Sequence, residues 1–112
     1  MSAGTFAPVQ PFRVDVVPDR EEVAVVLTGE LDLASADVLE SEVCELRGAG
    51  FGRVVVDLRE VDFIDSAGLR VLLSLRNTAK RRGHSLTIVP GPRRVQRIFD
   101  LTATRGLFDW RD

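Results

Sequence analysis

The stretch Arg53-Val-Val-Val-Asp-Leu-Arg-Glu-Val-Asp-Phe-Ile-Asp-Ser-Ala-Gly-Leu69 joins an apolar strand pattern to the beginning of a helical one. Its consecutive valines predict a strand over residues 53–58 that is buried on both faces. A helical pattern starts near Ser66 and ends at Gly83, and its apolar positions are Leu69, Leu72, Leu73 and Ala79. Strands that alternate with helices in this way predict a sheet covered by helices.

The segments before this stretch predict a hairpin and a first helix. Phe12–Val17 and Glu22–Thr28 carry strand patterns on either side of a turn that begins at Pro18. The helix that follows takes Ser35 as its predicted N-cap and ends at the glycines 48 and 50. Its predicted apolar face comprises Val38, Leu39, Val43 and Leu46, with Cys44 packed beside it.

The segments after it complete an α/β fold in one domain. Ser85–Val89 predicts a fourth strand, and Val95, Ile98 and Phe99 form the apolar face of a third helix. Leu107–Trp110 is either a fifth strand or a packed tail. The predicted order is β-β-α-β-α-β-α(-β), a mixed sheet of four to five strands covered by helices. We expect residues 1–11 to be a flexible tail and residues 12–112 to be the domain.

Composition bounds the class of protein. A chain of 112 residues with 45% hydrophobic residues can bury a core without disulfides, and a single cysteine excludes an internal disulfide framework. No apolar run approaches the length of a membrane span, and residues 1–11 lack the features of a secretory signal. We therefore expect a cytoplasmic protein.

Charge is unevenly divided along the chain. Residues 1–65 carry 5 Lys/Arg and 14 Asp/Glu, a net −9, whereas residues 66–112 carry 10 and 3, a net +7. Opposed patches of this kind can steer a charged partner, although such charges also serve simply to solvate separate helices. The basic residues are not interleaved with aromatic side chains, which argues against direct binding of nucleic acid.

Motifs for catalysis and cofactors are weak. The glycines of Gly48–Gly52 follow a helix and precede a strand, the reverse of a dinucleotide-binding turn, and no P-loop is present. A triad of Ser66, His84 and an aspartate lacks a nucleophile elbow. A Mg²⁺ site built from Asp32, Asp62 and Asp65 has no support from spacing alone. We expect no enzyme, no cofactor and no metal.

Ser66 is the residue with the clearest chemical possibility. It falls in the first turn of a predicted helix, where free N–H groups and the helix dipole suit an added phosphate. Asp65 would repel that phosphate, so modification would change a surface sharply without refolding the domain. Gly68 leaves room for another backbone to approach. The alternative is an ordinary capped helix start.

Four motifs together resemble a known family. They are Thr28-Gly-Glu-Leu-Asp-Leu33, Val54-Val-Val-Asp-Leu58, Val61-Asp-Phe-Ile-Asp-Ser-Ala-Gly-Leu69 and Val95-Gln-Arg-Ile-Phe-Asp-Leu-Thr-Ala103. In this order they resemble the bacterial anti-sigma factor antagonists, which are stand-alone domains of the STAS class. The resemblance covers residues 12–110 and implies a STAS-type domain.

The resemblance also implies a partner-switching role in transcription regulation. Family members bind an anti-sigma factor that is also a serine/threonine kinase, which frees the sigma factor; phosphorylation ends the complex and a serine phosphatase restores it. Here Ser66 matches the phosphoacceptor, Asp65 the residue beside it, and Asp32 a position of kinase contact. Ala67 departs from the family, which often has Ser or Thr there, but the acceptor is retained.

We expect the partner surface to combine charge and apolar contact. Glu30 and Asp32 would meet a basic patch on the kinase, and Ile64 and Leu69 would supply apolar contact energy. The turn that completes this surface comprises Asp65, Ser66, Ala67 and Gly68. The rivals are a non-switching STAS scaffold in a stress-sensing or lipid-transport assembly and, more distantly, a hydrolase.

Overall fold

The computed structural model describes residues 10–111, so most of the expected tail over residues 1–11 lies outside the described residues. The predicted order of elements is confirmed. The strands are β1 (Arg13–Asp19), β2 (Glu22–Leu31), β3 (Arg53–Ile64), β4 (Ser85–Val89) and β5 (Asp109–Trp110). The helices are α1 (Leu33–Gly48), α2 (Ser66–Arg82) and α3 (Arg93–Leu101), with a 3-10 turn at Arg105–Leu107.

The sheet is mixed and its strands lie in the order of the sequence, β1-β2-β3-β4-β5. The first two strands form an antiparallel hairpin, and every later neighbour is parallel. Each parallel crossover moves one strand in the same direction, and right-handed crossovers then place α1, α2 and α3 on one face. The core cluster formed by the described residues agrees, because alternate residues of β2 and β3 share it with helix residues such as Leu72 and Phe99.

The third strand extends well beyond its predicted end at Leu58. It pairs with β2 as far as Leu31 and Ile64, through irregularities of register near Thr28 and Gly29. Residues 54–58 are all buried, as the consecutive valines predict, and burial becomes intermittent afterwards. Exposed Arg59 and Glu60 break the apolar pattern, which is why the sequence alone ends the strand too early.

Three predictions about α1 are wrong. Its N-cap is Asp32, and Ser35 lies inside the first turn with a buried side chain. Val38 is exposed, because the buried face of α1 is formed by Ser35, Ala36, Leu39, Val43 and Leu46. Cys44 is exposed as well, rather than packed in the core.

The C-terminal segment provides both a short strand and a packed tail. Phe108 and Trp110 each meet the buried ring of Phe99 edge-on, with ring centroids 5.5 and 5.0 Å away.

Leu73 and Ile98, predicted to point inward on their helices, are only partly buried. Among residues 10–111, no helix combines the length and the apolar character that crossing a bilayer requires.

An ion pair on β3 makes stability depend on pH. Asp57 is 5% exposed. It accepts a 2.7 Å hydrogen bond from Nη2 of Arg59 and a 3.0 Å bond from the Arg59 backbone N–H. Burial raises the pKa of Asp57, but these hydrogen bonds outweigh burial and leave that pKa below its ordinary value. The pair therefore stabilises the fold above the pKa of an unfolded aspartate, and this contribution is lost as pH falls through the lower, folded pKa.

We expect Asp57→Asn to lower the free energy of unfolding by about 1–2 kcal/mol at pH 7, because the charged acceptor is lost. At pH 3, below the ordinary pKa of an unfolded aspartate of about 3.9, the difference from the wild type should shrink, because the wild-type carboxyl then takes up a proton in the unfolded state. Urea unfolding at both pH values measures the effect. Asp15→Asn is the matched control, because its pair with Arg13 is exposed on both sides; an equal difference at both pH values would contradict the assignment.

Candidate functional site

Two helices begin side by side at one edge of the sheet. Leu31 and Ile64 are partners in the parallel pairing of β2 and β3, and each is the last residue of its strand. The next residue in each case is an aspartate that caps a helix, Asp32 for α1 and Asp65 for α2. The pairing of the strands thus brings Asp32 and Asp65 to the same edge.

The turn around Ser66 is fixed by Asp65. Its Oδ1 accepts hydrogen bonds from the backbone N–H of Ala67 at 2.9 Å and of Gly68 at 3.0 Å. The Asp65 backbone N–H donates to the carbonyl of Leu31 at 3.3 Å, which ties the turn to β2. Ser66 is the first residue of α2, and its side chain is exposed. Ser66 is therefore accessible on a turn that hydrogen bonds hold in place.

The helix N-terminus is not free to receive a phosphate in the way the sequence suggests. Two of the first N–H groups of α2 already bind the Asp65 carboxylate. A phosphate on Ser66 would lie next to that carboxylate, which already occupies the N–H groups of Ala67 and Gly68.

Gly68 brings β2 and α2 into close contact. It is buried, and a Cβ built on it would overlap the carbonyl oxygen of Leu31 and approach Cγ1 of Ile64 at 2.9 Å. Another backbone does approach Gly68 closely, but it is the end of β2 in the same chain, and the buried Gly68 offers no surface to a partner. Gly68 thus sets the position of the turn that carries Ser66.

Asp32 belongs to a capping box. Its Oδ1 accepts hydrogen bonds from the N–H of Ala34 at 3.0 Å and of Ser35 at 3.2 Å, and its own N–H donates to Oγ of Ser35 at 2.9 Å. Oγ of Ser35 in turn donates to the carbonyl of Glu30 at 2.7 Å. Asp32 and Glu30 are both half-buried, so Asp32 holds the start of α1 while part of it still faces solvent.

The apolar surface near Ser66 differs from the expected one. Ile64 and Leu69 are each 6% exposed and belong to the core, so they offer little contact area to a partner. The exposed apolar side chains at this edge are Leu33, 76% exposed, and Phe63, 48% exposed. Leu33 lies with half-buried Ala67 along a shallow depression between α1 and α2. The sequence pattern did not predict either Leu33 or Phe63 as a surface residue. A signal was present, because each adjoins a capping or core residue, where an outward-facing apolar side chain is unusual.

The catalytic and metal alternatives do not fit this geometry. Ser66 begins α2 and His84 follows its end, and a helix of 17 residues separates them by about 25 Å. The three aspartates proposed for Mg²⁺ have separate roles, since Asp32 and Asp65 cap helices and Asp62 pairs with Arg94. Within the described chain, no three His, Cys, Asp or Glu side chains come together as a metal site.

Comparison with known proteins identifies the family. The family model described as "Mlab, STAS domain" matches residues 14–108. The anti-sigma-B factor antagonist of Bacillus subtilis (strain 168) is 31% identical over 96 residues, which are 86% of this chain and 87% of the relative. The chain belongs to the STAS-domain anti-sigma factor antagonists.

Solved structures show the same fold at low sequence identity. An anti-sigma factor antagonist from Mycobacterium paratuberculosis superposes with a TM-score of 0.76 at 21% identity, covering 89% of this chain and 85% of that one. The antagonist SpoIIAA in its unphosphorylated form gives 0.72 at 16% identity, over 91% and 89% of the two chains. The phosphorylated form of SpoIIAA, from Bacillus, gives 0.67 at 16% identity, over 91% and 92%. The STAS fold predicted from the sequence is confirmed.

Proposed function

We propose that this STAS domain binds an anti-sigma factor kinase while Ser66 is unmodified, and that phosphorylation of Ser66 ends the complex. Binding would free the sigma factor held by the kinase. The observation that carries the proposal is the exposed position of Ser66 on a turn fixed by Asp65. A relative of the same fold occurs in a phosphorylated form, which supports this type of control.

The proposed modification is a phosphoryl transfer to which this chain contributes only the acceptor. The Ser66 oxygen forms a bond to the γ-phosphorus of ATP held by the kinase, the bond from that phosphorus to the β–γ bridging oxygen breaks, and ADP leaves. The hydroxyl proton passes to a base on the kinase. A serine phosphatase reverses the change by hydrolysing the phosphate ester.

The contact surface that we propose surrounds this acceptor. Its charged part is formed by Glu30, Asp32 and Asp65, which suit a basic patch on the kinase. Its apolar part is formed by Leu33, Phe63 and Ala67. Ile64, Gly68 and Leu69 lie beneath and hold the turn in place. Rigid support of a small exposed turn favours a pre-organised contact, because little freedom is lost on binding.

The switch follows from the charge of the phosphate. A phosphoserine carries about −1.5 to −2 charges at neutral pH. At Ser66 this charge lies next to Asp65, whose Oδ1 already accepts the N–H groups that a phosphate would otherwise use. The partner would have to bury an uncompensated dianion beside the apolar side chains, which is unfavourable. We place this switch in the cytoplasm, with the domain as a substrate and not as an enzyme.

Intact-mass spectrometry tests the proposal. The protein is incubated with ATP and the purified anti-sigma factor kinases of its host, and phosphorylation adds about 80 Da for one phosphoryl group. Ser66→Ala is the matched control and should gain nothing. A wild-type protein that binds a partner yet never gains this mass would instead be a non-switching scaffold.

Substitutions at Asp32 separate its charge from its capping role. Asp32→Ala should lower the free energy of unfolding by about 1 kcal/mol, because the N-cap acceptor is lost. Asp32→Asn should stay within a few tenths of a kcal/mol of the wild type, since asparagine also caps helices. Both should weaken kinase binding, which calorimetry measures alongside thermal unfolding. An Asp32→Asn variant that binds as tightly as the wild type would limit Asp32 to a structural role.

A further inference from the structure

A groove runs along the side of the domain between α1 and α2. Its first half starts at Leu33 and Ala67, beside the turn of residues 65–68 that carries Ser66, which we call the acceptor turn. Its second half reaches His84 beyond the end of α2. Glu40 and Ser74 line both halves, so the two depressions are continuous. The α1 helix has 16 residues, which makes the groove about 24 Å long.

The groove is open because small side chains line it. Its floor is apolar. The small residues along its two halves are Ala36, Cys44, Gly48, Ala67, Ser74 and Ala79. Val43, Val71 and Leu75 are buried core residues that form part of its floor. An apolar floor of this length between two parallel helices fits the ridge of a third helix.

Charged side chains on the two walls are left without partners. Asp37 and Glu40 lie on the α1 wall, and Arg70 and Arg82 lie on the α2 wall. In residues 10–111 none of these four takes part in an ion pair. Arg47 at the far end instead donates to the carbonyls of Phe51 and Ser85. The walls thus offer unpaired acidic groups on one side and unpaired basic groups on the other.

We propose that this groove binds an amphipathic helix of the partner kinase, basic along the flank that lies over α1 and acidic where it reaches Arg70 or Arg82. This inference rests on the proposed function and adds a second contact to it. The groove begins at Ala67, the neighbour of the acceptor, so a kinase positioned at Ser66 is adjacent to it. A second copy of this chain fits less well, because its helix α3, which is exposed on its outer side, has nine residues and would span only about half of the groove.

Matched charge and size substitutions test the contact. Glu40→Lys should weaken kinase binding about tenfold, whereas Glu45→Lys, on the same helix but outside the groove, should change it less than about twofold. Ser74→Trp should weaken binding by a similar factor because the indole fills the groove, whereas Asn77→Trp on the exposed side of α2 should not. The two variants of each pair change the overall charge or size of the molecule equally. A difference in kinase affinity between them therefore shows that the kinase contacts the groove.

Cys44 provides a direct footprint of the occupied groove. It is the only cysteine of the chain, it is exposed, and it lines the second half of the groove. Alkylation by iodoacetamide should be about tenfold slower in the kinase complex, because access to the thiol is blocked. A Cys44→Ser variant with Val17→Cys on the exposed strand β1 should react at the same rate with and without the kinase.

The outcomes separate this inference from the function on which it rests. Suppose that Ser66 gains the phosphoryl mass while Cys44 is alkylated as fast in the complex as in the free protein and Glu40→Lys binds the kinase normally. The groove contact is then wrong, and the phosphorylation switch is retained. If no kinase modifies Ser66, both the switch and the groove contact are wrong. If Cys44 is protected from iodoacetamide in the absence of kinase and the protein sediments as a dimer, a second copy of the chain occupies the groove. This result would overturn the proposal.

Discussion

Ser66→Asp is expected to weaken the complex with the partner kinase by more than a hundredfold, whereas Ser66→Ala should bind as the unmodified wild type does. The aspartate places a fixed negative charge next to the Asp65 carboxylate, where the N–H groups of Ala67 and Gly68 are already occupied. Burying that charge against the partner without a counter-ion costs roughly 3 kcal/mol or more, which corresponds to a factor of more than a hundred. Calorimetric titration of the purified kinase into each variant measures the difference.

Two controls belong with this prediction. Asn77→Asp adds the same charge to the exposed side of α2, away from the acceptor turn, and should leave binding unchanged. The melting temperature of Ser66→Asp should match that of the wild type, because an acidic residue in the first turn of a helix is not destabilising. If Ser66→Asp and Ser66→Ala bound the kinase with equal affinity, Ser66 would not belong to the contact surface.

Gly68→Ala is expected to lower the free energy of unfolding by about 2–3 kcal/mol, although alanine is intrinsically the better helix former. The added methyl group would overlap the carbonyl oxygen of Leu31 and press on Ile64, so the end of β2 and the first turn of α2 must separate. Urea-induced unfolding measures the loss. Kinase binding should weaken as well, because Ser66 moves with the turn.

Gly48→Ala is the matched control for the glycine substitution. Gly48 is the last residue of α1, and a Cβ there meets nothing within 4 Å. This variant should be as stable as the wild type or slightly more stable, since only helix propensity changes. If Gly68→Ala unfolded at the same urea concentration as Gly48→Ala, close contact between β2 and α2 would have no role in stability.

The order of strands and helices is readable from the sequence because it depends on local periodicity. The valines of residues 54–56 are buried, and Gly83 ends α2 in the left-handed conformation at φ 71°, as glycine at a helix end favours. The N-cap of α1 is different. Asp32 and Ser35 both suit that position, and the choice between them depends on β2 extending to Leu31 and pairing there with Ile64. Such a non-local pairing leaves no mark in the local pattern.

The candidate site is only partly readable for a related reason. Ser66 and Asp65 can be placed at the start of a helix from their position after an apolar strand, and both lie there. Apolar residues beside them give no sign of whether they face a partner or the core. Ile64 and Leu69 fill space beneath the turn, and Leu33 and Phe63 face outward, because of how α1 and α2 pack on the sheet. Side-chain direction at an element boundary is decided by tertiary packing.

The agreement between strand order in the sheet and strand order in the chain has a consequence for how the protein is made. Each strand pairs with the one synthesised before it, so a chain emerging from the ribosome never has to wait for a later segment to complete an earlier pairing. The contacts that hold the acceptor turn, made by Leu31, Asp65 and Gly68, join the end of β2 to the start of α2. The residues that make these contacts are therefore all translated before β4, α3 and β5.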